Sequence, residues 1–361
     1  MSRDATTLRV AVTALNATDN PAPGVSVLRA LRDAPGFRGR LIGLSYDALD
    51  AGLYARGLAD AVYLVPYPSL GPAALLERLR AIHARDPFDV VLPNVDSELL
   101  SYLEIAPELA ELGVGMYLPT REQLELRSKV HLEALGEQSG ISVPRAATVS
   151  TAQELFKLHD RIPYPFFVKG TFYGAVLVHS LDEALAAFHA TVAKWGLPVI
   201  VQQRIDGEEY DVVAVGDGEG GLVGAVPMKK TILTDKGKGW GGVAVKDPGL
   251  LDMTRAFMEA TRWRGPCEVE VMKDRDGGYH LLEINPRFPA WVYMSAGAGH
   301  NLPWAVAQLA AGLRPERLEP YRVGTMFVRI ALDQIADISD FEKIATAGEL
   351  VREPSGEEEP S

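Results

Sequence analysis

Cysteine is almost missing from this sequence: Cys267 is the only one in 361 residues. No internal disulfide and no cysteine-based zinc site can form from a single thiol. Cys267 stands beside Glu268 in an apolar strand pattern and reads as a packed thiol rather than a nucleophile. Apolar runs approaching the roughly 20 residues of a membrane span are absent as well. The start, MSRDATTLRVAVTAL, holds only a short apolar stretch and reads as a first strand, not a signal sequence. A cytoplasmic protein is expected. Positive charge is in deficit: 36 Lys and Arg face 48 Asp and Glu, a formal net charge of −12. No basic run offsets this, which argues against a nucleic-acid partner. Part of the acidic excess lies in GEEEPS (356–361), which is expected to be disordered. No convincing Ser-His-Asp or Cys-His set is present either, so covalent nucleophilic catalysis has no obvious carrier.

What is present suits a soluble enzyme of two or three domains, since the chain exceeds what one core usually organises. Residues 8–120 alternate short apolar strands (8–15, 40–44, 61–66, 88–94, 115–119) with helical segments (25–34, 73–85, 97–112). That alternation implies a parallel sheet covered on both faces, which binds ligands beyond the carboxyl ends of its strands. The first such loop, Asn16 to Gly24, is long and lacks the GxGxxG phosphate cradle, so no dinucleotide site is expected there. The fourth strand ends in Pro93-Asn94-Val95-Asp96-Ser97-Glu98, where Asp96 is placed to cap the next helix.

The pattern changes at 121. A helical run, REQLELRSKVHLEALGEQSG, carries Lys129, which on its own reads as a solvated helix-face lysine. Phe166–Lys169 reads as a strand whose last residue precedes Gly170, a good way to set one ammonium on a phosphate. After a helix at 181–195, PVIVQQRIDGEEYDVVAVG reads as a hairpin turning at Asp206-Gly207. Its edge could offer backbone groups, Gln202 and Glu209 to a ligand, although on these residues alone a plain hairpin is the better explanation. Residues 227–242, PMKKTILTDKGKGWGG, read either as a flexible loop or as a cover bringing Lys229, Lys230 or Lys238 to anionic groups.

The most informative stretch is 265–291, GPCEVEVMKDRDGGYHLLEINPRFPAW. It reads as strands 267–273 and 279–285 joined by a turn at Asp276-Gly277, the dipeptide favoured in two-residue hairpins. That turn sets Lys273 opposite His280, Glu270 opposite Glu283, and Glu268 opposite Asn285, with Val269, Val271, Leu282 and Ile284 on the other face. Facing carboxylates repel unless a cation lies between them. Oxygen-only ligands suit Mg²⁺ rather than zinc, and Arg287 adds a guanidinium where a phosphate or carboxylate would lie. The competing explanation is a surface hairpin with one polar face. A register change of one residue would separate Glu270 from Glu283 and leave Glu268 as the alternative ligand.

In this order, the pieces resemble the ATP-grasp superfamily over about 121–335, behind a Rossmann-like domain (1–120) of the kind that precedes many such modules. The resemblance implies an α/β and α+β chain: the N-terminal parallel-sheet domain, a two-subdomain ATP-grasp fold with a small lid at about 145–205, and a C-terminal extension at 336–361. It implies that Lys129 and Lys169 contact phosphates, with Arg127 a rival for the first role. Gln202, Gln203 and Ile205 match the adenine hinge, though the family usually begins it with Glu, and Glu209 matches the ribose ligand. Glu270, Glu283 and Asn285 match the ligands of two Mg²⁺ ions, for which Mn²⁺ is an accepted substitute. Arg287 matches the arginine that steadies an acyl phosphate, and with Lys169 it is the expected catalytic residue. The loop after Lys169, GTFYGAV, has fewer glycines than is usual. The implied activity is an ADP-forming carboxylate–amine ligase using small-molecule or peptide substrates; dimers are common among such proteins. A bicarbonate-activating module of the carboxylase or carbamoyl-phosphate-synthase kind and a non-catalytic nucleotide-binding subunit are the alternatives.

Overall fold

The computed structural model describes residues 4–17, 21–126, 129–170, 174–234 and 239–352, with Lys129 and Val130 described in backbone only. Four strands form the parallel part of the first sheet: β1 (Arg9–Val12), β2 (Arg40–Ser45), β3 (Ala61–Leu64) and β4 (Val90–Leu92), in the spatial order β3-β2-β1-β4. Their near-continuous burial is what a sheet covered on both faces requires. Helix α1 (Gly24–Arg32) begins hard against the end of β1: a Cβ on Gly24 would lie 2.1 Å from the Thr13 carbonyl oxygen. Helix α2 (Gly71–Arg85) covers the sheet through Leu75, Leu79 and Ile82. The expected helix over 97–112 divides into α3 (Leu99–Glu104) and α4 (Ala106–Glu111), because Pro107 in the first turn of α4 cannot continue α3. The strand expected at 115–119 amounts to a single bridge from Gly115 to Val90.

Two helices, α5 (Arg121–Leu126) and α6 (Lys129–Ser139), lead to a small antiparallel sheet. Its strands are β5 (Ala146–Val149), β6 (Phe166–Lys169), β7 (Ala175–Val178) and β8 (Val199–Gln203), in the order β5-β8-β6-β7. Helix α7 (Leu155–Leu158) and helix α8 (Leu181–Trp195) close over it, giving a separate core of Leu155, Phe166, Val168, Phe188, Val199 and Val201.

The third sheet carries the long strands β9 (Gly207–Asp217), β10 (Leu222–Leu233), β11 (Gly239–Ala244), β12 (Arg264–Asp274), β13 (Tyr279–Asn285) and β14 (Met326–Val328), ordered β13-β12-β9-β10-β11-β14. Helix α9 (Pro248–Thr261) covers one face, packing Leu250, Phe257 and Met258 on Val212, Ala214, Val269 and Leu281. On the opposite face Val213, Val215, Val226 and Met228 share a core with Val12, Leu92, Trp291 and Leu302 of the surrounding elements. Helices α10 (Tyr293–Gly297) and α11 (Leu302–Ala310) follow β13. The chain then returns through α12 (Ile338–Ala347), and β15 (Glu349–Val351) pairs antiparallel with β3 at the edge of the first sheet.

Two further sequence expectations change here. The segment through Asp206-Gly207 is not a hairpin: β8 belongs to the small sheet and β9 to the large one, so 204–206 is a bridge between them. The β12–β13 turn is also longer than two residues. Asp274 takes amide bonds from Asp276 and Gly278, and Lys273 faces Tyr279 rather than His280. A register shift between Glu270 and Val271 then absorbs one residue. Leu281, not Leu282, therefore enters the core, while the pairs Glu270–Glu283 and Glu268–Asn285 stand as expected.

Candidate functional site

Strands β9 and β12 pair over eleven residues, from Arg264 opposite Asp217 to Asp274 opposite Gly207. This ladder fixes the site, because alternation sends Glu268, Glu270, Glu209 and Asp211 to one face. Glu270 lies between Glu283 on β13 and Asp211 on β9, so three carboxylates form a row across three strands. Oxygens of Glu209, Asp211 and Glu270 come within 4.8 Å of one another. Such a row opposes folding unless positive charge compensates it. Lys230 on β10 supplies some: its buried ammonium bonds Glu209 and lies 3.1 Å from Asp211 Oδ1. Burial pushes the Asp211 carboxyl well up, against the pull of Lys230, and Glu268, Glu270 and Glu209 push it further. Burial works to lower the Lys230 ammonium, but Asp211, Glu270 and Glu209 outweigh it and hold the lysine charged. A set of three oxygen donors, two of them half-buried, fits a hard divalent cation such as Mg²⁺.

Glu268 does a different job. It is buried and fully engaged: Trp291 Nε1 donates to it at 2.7 Å, Asn285 Nδ2 at 3.0 Å and Arg287 Nη1 at 3.2 Å. Burial, then Glu270, pushes its carboxyl up, while Arg287 and Trp291 pull it down. Asn285 also donates to Glu270 at 2.9 Å, so one amide ties the two carboxylates of β12 together. Arg287 reaches the other way too, with Nε 3.3 Å from Asp96 Oδ1. Asp96 is thus not the cap of α3, which has no side-chain cap; it joins the loop after β4 to the hairpin.

The loop bearing Asp96 is held from below by Glu98. That buried carboxyl accepts from the amides of Asn94 (2.6 Å) and Val95 (2.8 Å), the Thr13 hydroxyl (2.5 Å) and the Tyr46 hydroxyl. These partners come from the carboxyl ends of β1, β2 and β4. Burial raises Glu98 to about 7 despite those bonds. Nearby, the Ala290 carbonyl accepts from Ser26 (2.6 Å) and Arg329 (3.0 Å), and the Arg329 guanidinium sits 5.2 Å from the Trp240 ring centre.

Of the residues singled out from the sequence, Lys169 and Gln202 meet on neighbouring strands of the small sheet, with Nζ donating to Oε1 at 2.5 Å. Gln202 is buried, whereas Gln203 turns to Arg145, whose amide donates to it at 3.2 Å. Ile205 is half-buried in the bridge to β9. Glu209 stands with the carboxylates rather than apart from them. Glu283 and Asn285 face Glu270 and Glu268 as described. Lys229 and Lys230 lie on a strand instead of a loop, with Lys229 bonded to Glu208 at 2.8 Å. Lys238 and Arg127 fall outside the described residues, as does the Lys129 side chain. Asp211 is the residue that sequence reasoning missed. Its spacing of two from Glu209 was the available signal, since i and i+2 share a strand face.

Residues 197–330 match the family model described as ATP-grasp in the biosynthetic pathway with Ter operon. A D-alanine–D-alanine ligase B from Pseudomonas putida is 26% identical over 189 residues, 48% of this chain; the matched part is 57% of that relative's length. Biotin carboxylase from Campylobacter jejuni superposes with a TM-score of 0.70 at 16% identity, covering 90% of this chain and 75% of that one. L-amino acid ligase from Bacillus licheniformis gives 0.62 at 18% identity, covering 86% and 75%.

Proposed function

We propose that this chain, which belongs to the ATP-grasp superfamily, is an ATP-dependent ligase that joins a carboxylate to an amine and releases ADP and phosphate. The observation that carries the reading is the carboxylate trio Glu209, Asp211 and Glu270, flanked by Lys230 and Arg287 on one sheet face. Glu209, Asp211 and Glu270, with Glu283 beside them in the ladder, would hold Mg²⁺, which when bound orients and neutralises phosphate oxygens.

The chain's own residues divide the remaining work. Lys169 sets an ammonium, and Gln202 an amide, on the small sheet just before the bridge that runs into Glu209. There they meet the nucleotide, one at a phosphate and the other at the purine edge. Lys230 and Arg287 offset the charge that spreads as a carboxylate oxygen attacks the γ-phosphorus and ADP leaves. Arg287, held between Asp96 and Glu268, then faces the acyl phosphate. An amine attacks the acyl carbon, the C–O bond to phosphate breaks, the amine nitrogen gives up a proton, and an amide remains. Positioning and charge neutralisation do most of this, so no side-chain nucleophile is needed.

The substrate class is an amino acid, peptide or similar small acid. The curated relative whose name specifies two amino acids supports it. The test incubates the full chain with ATP, Mg²⁺ and paired panels of amino acids and small acids. New amides are read by mass spectrometry and nucleotides by chromatography. ADP formed in step with an amide is expected; AMP with pyrophosphate, or turnover that needs bicarbonate and no amine, would overturn the reading.

A further inference from the structure

Just past β14 the chain keeps its pairing for one more residue, with the Arg329 amide donating to the Trp240 carbonyl at 2.9 Å. Register then places the Arg329 side chain. Phe327 pairs with Gly242, and Gly242 with Lys230, so these three positions share a face. Arg329 stands two residues beyond Phe327, and Trp240 two before Gly242. Both therefore lie on the face that carries Lys230 and the carboxylate trio. There the guanidinium sits between two rings, 5.2 Å from the Trp240 centre and 5.8 Å from that of Phe327. Its Nη2 donates to the Ala290 carbonyl at 3.0 Å. Ala290 follows Arg287 by three residues, a span of about 11 Å at most, so the two guanidiniums flank one short segment beside the site.

A guanidinium withdrawn from water ordinarily has an anion beside it. Arg287 has two, Asp96 and Glu268. Arg329 has none among the described residues, and burial pulls its pKa below the ordinary guanidinium range with no carboxylate to hold it up. Arg264 and Arg352 also lack a hydrogen-bonded carboxylate among the described residues, but each donates to two backbone carbonyls. Arg329 donates to one. Rings on its two faces leave its other N–H groups, which lie in the guanidinium plane, directed outward. None of its nitrogens is sealed from solvent without a partner. A planar fork with open edges is the geometry that takes a carboxylate through two parallel hydrogen bonds. One guanidinium balances one carboxylate, whereas a phosphate monoester brings roughly two charges to a face already rich in acid.

The carboxylate at Arg329 is not the one that reacts, because that one lies at the γ-phosphate beside Arg287. An α-amino acid holds its nitrogen and its carboxylate on a single carbon. A nitrogen facing the acyl phosphate therefore brings its carboxylate toward the neighbouring guanidinium. Resting on the ligase reading above, we propose that Arg329 binds the carboxylate of the amine substrate, so that the nucleophile is a free amino acid rather than a simple amine or an amino-acid amide.

The test offers the common amino acids, their carboxamides and simple alkylamines as nucleophiles, with ATP, Mg²⁺ and the acid found by product screening. KM and kcat are measured for wild type, Arg329→Met and Arg329→Lys. Wild type is expected to favour an amino acid over its carboxamide by about 100-fold in kcat/KM, mainly through KM. Arg329→Met should accept the two alike, and Arg329→Lys should keep about a tenth of the preference, since an ammonium lacks the fork. A wild type that uses the carboxamide equally well overturns the proposal, and this comparison needs no variant. So does a Met variant that keeps the preference, or a requirement for a second carboxylate on the acid instead of the amine. Hydroxylamine in place of the amine traps the acyl phosphate as a hydroxamate and separates this proposal from the reading beneath it. Hydroxamate formed by a wild type that ignores the amine's carboxylate defeats the Arg329 assignment alone. No hydroxamate with any acid removes the ligase reading and the assignment together.

Discussion

Asp96 and Arg287 meet at 3.3 Å, the aspartate leaving the fourth parallel strand of the first sheet and the arginine following the hairpin of the third. The carboxyl edge of the first sheet therefore borders the carboxylate wall, and substrate entering there would meet both. Arg287→Lys keeps a charge but loses the fork that spans Asp96 and Glu268, so ligase kcat is expected to fall by about 100-fold, or ~2.7 kcal/mol. Asp96→Asn should cost about tenfold and act mainly on KM for the acceptor. Steady-state kinetics with the substrate pair found by product screening check both.

Lys230 sits where three carboxylates converge, so its loss is expected to be felt in stability before chemistry. Lys230→Met leaves buried charge uncompensated and should lower unfolding free energy by about 3 kcal/mol. Added Mg²⁺ should restore part of that by binding the folded trio. Thermal melts with and without Mg²⁺ and with calcium as a control give the comparison. A variant as stable as wild type would remove Lys230 from this role.

Asp211→Asn tests the ligand set itself. Removing one oxygen charge from the trio should raise the Mg²⁺ concentration for half-maximal ATP binding by about tenfold, near 1.4 kcal/mol. Isothermal titration at fixed ATP reads it directly. By contrast, Lys169→Ala and Gln202→Ala should weaken ATP at saturating Mg²⁺ and leave the metal dependence alone.

Much of this is legible in the sequence, for physical reasons. A carboxylate at every second position of an apolar strand can only mean one polar face, and so Glu270, Glu283 and Asn285 fall into register. The Asp276-Gly277 dipeptide suggests too short a turn, yet a bulge restores the pairs, because the core demands Val269, Val271 and Ile284 on the same side. Asp211 escapes because the segment around it has the pattern of a hairpin, when β8 and β9 join separate sheets. Lys230, expected in a loop that either flexes freely or covers the site, is strand-borne, since its strand runs on to Leu233. The Asp96–Arg287 contact spans 191 positions and has no local signature.

Glu98 gives a pH dependence of known sign. Burial raises its carboxyl to about 7 from an ordinary 4.5, so the folded chain holds that proton more tightly than the unfolded chain. Its contribution to stability is fully present below about 4.5 and is lost as pH rises through about 7. The difference amounts to on the order of 3 kcal/mol. Glu98→Gln keeps an acceptor for the Asn94 and Val95 amides and should flatten that part of the curve. Urea unfolding at pH 5, near the lower end of that window, and at pH 8, above it, compares the two proteins. Equal slopes would show that Glu98 does not titrate between them.

Everything proposed for the site turns on attack of a carboxylate oxygen on the γ-phosphorus beside the Glu209–Asp211–Glu270 wall. Carboxyl-¹⁸O-labelled acid, incubated with the amine and MgATP, reads that step directly. One ¹⁸O atom is expected in the phosphate released, with ADP unlabelled. Label in AMP, or phosphate carrying no ¹⁸O while amide accumulates, would contradict it.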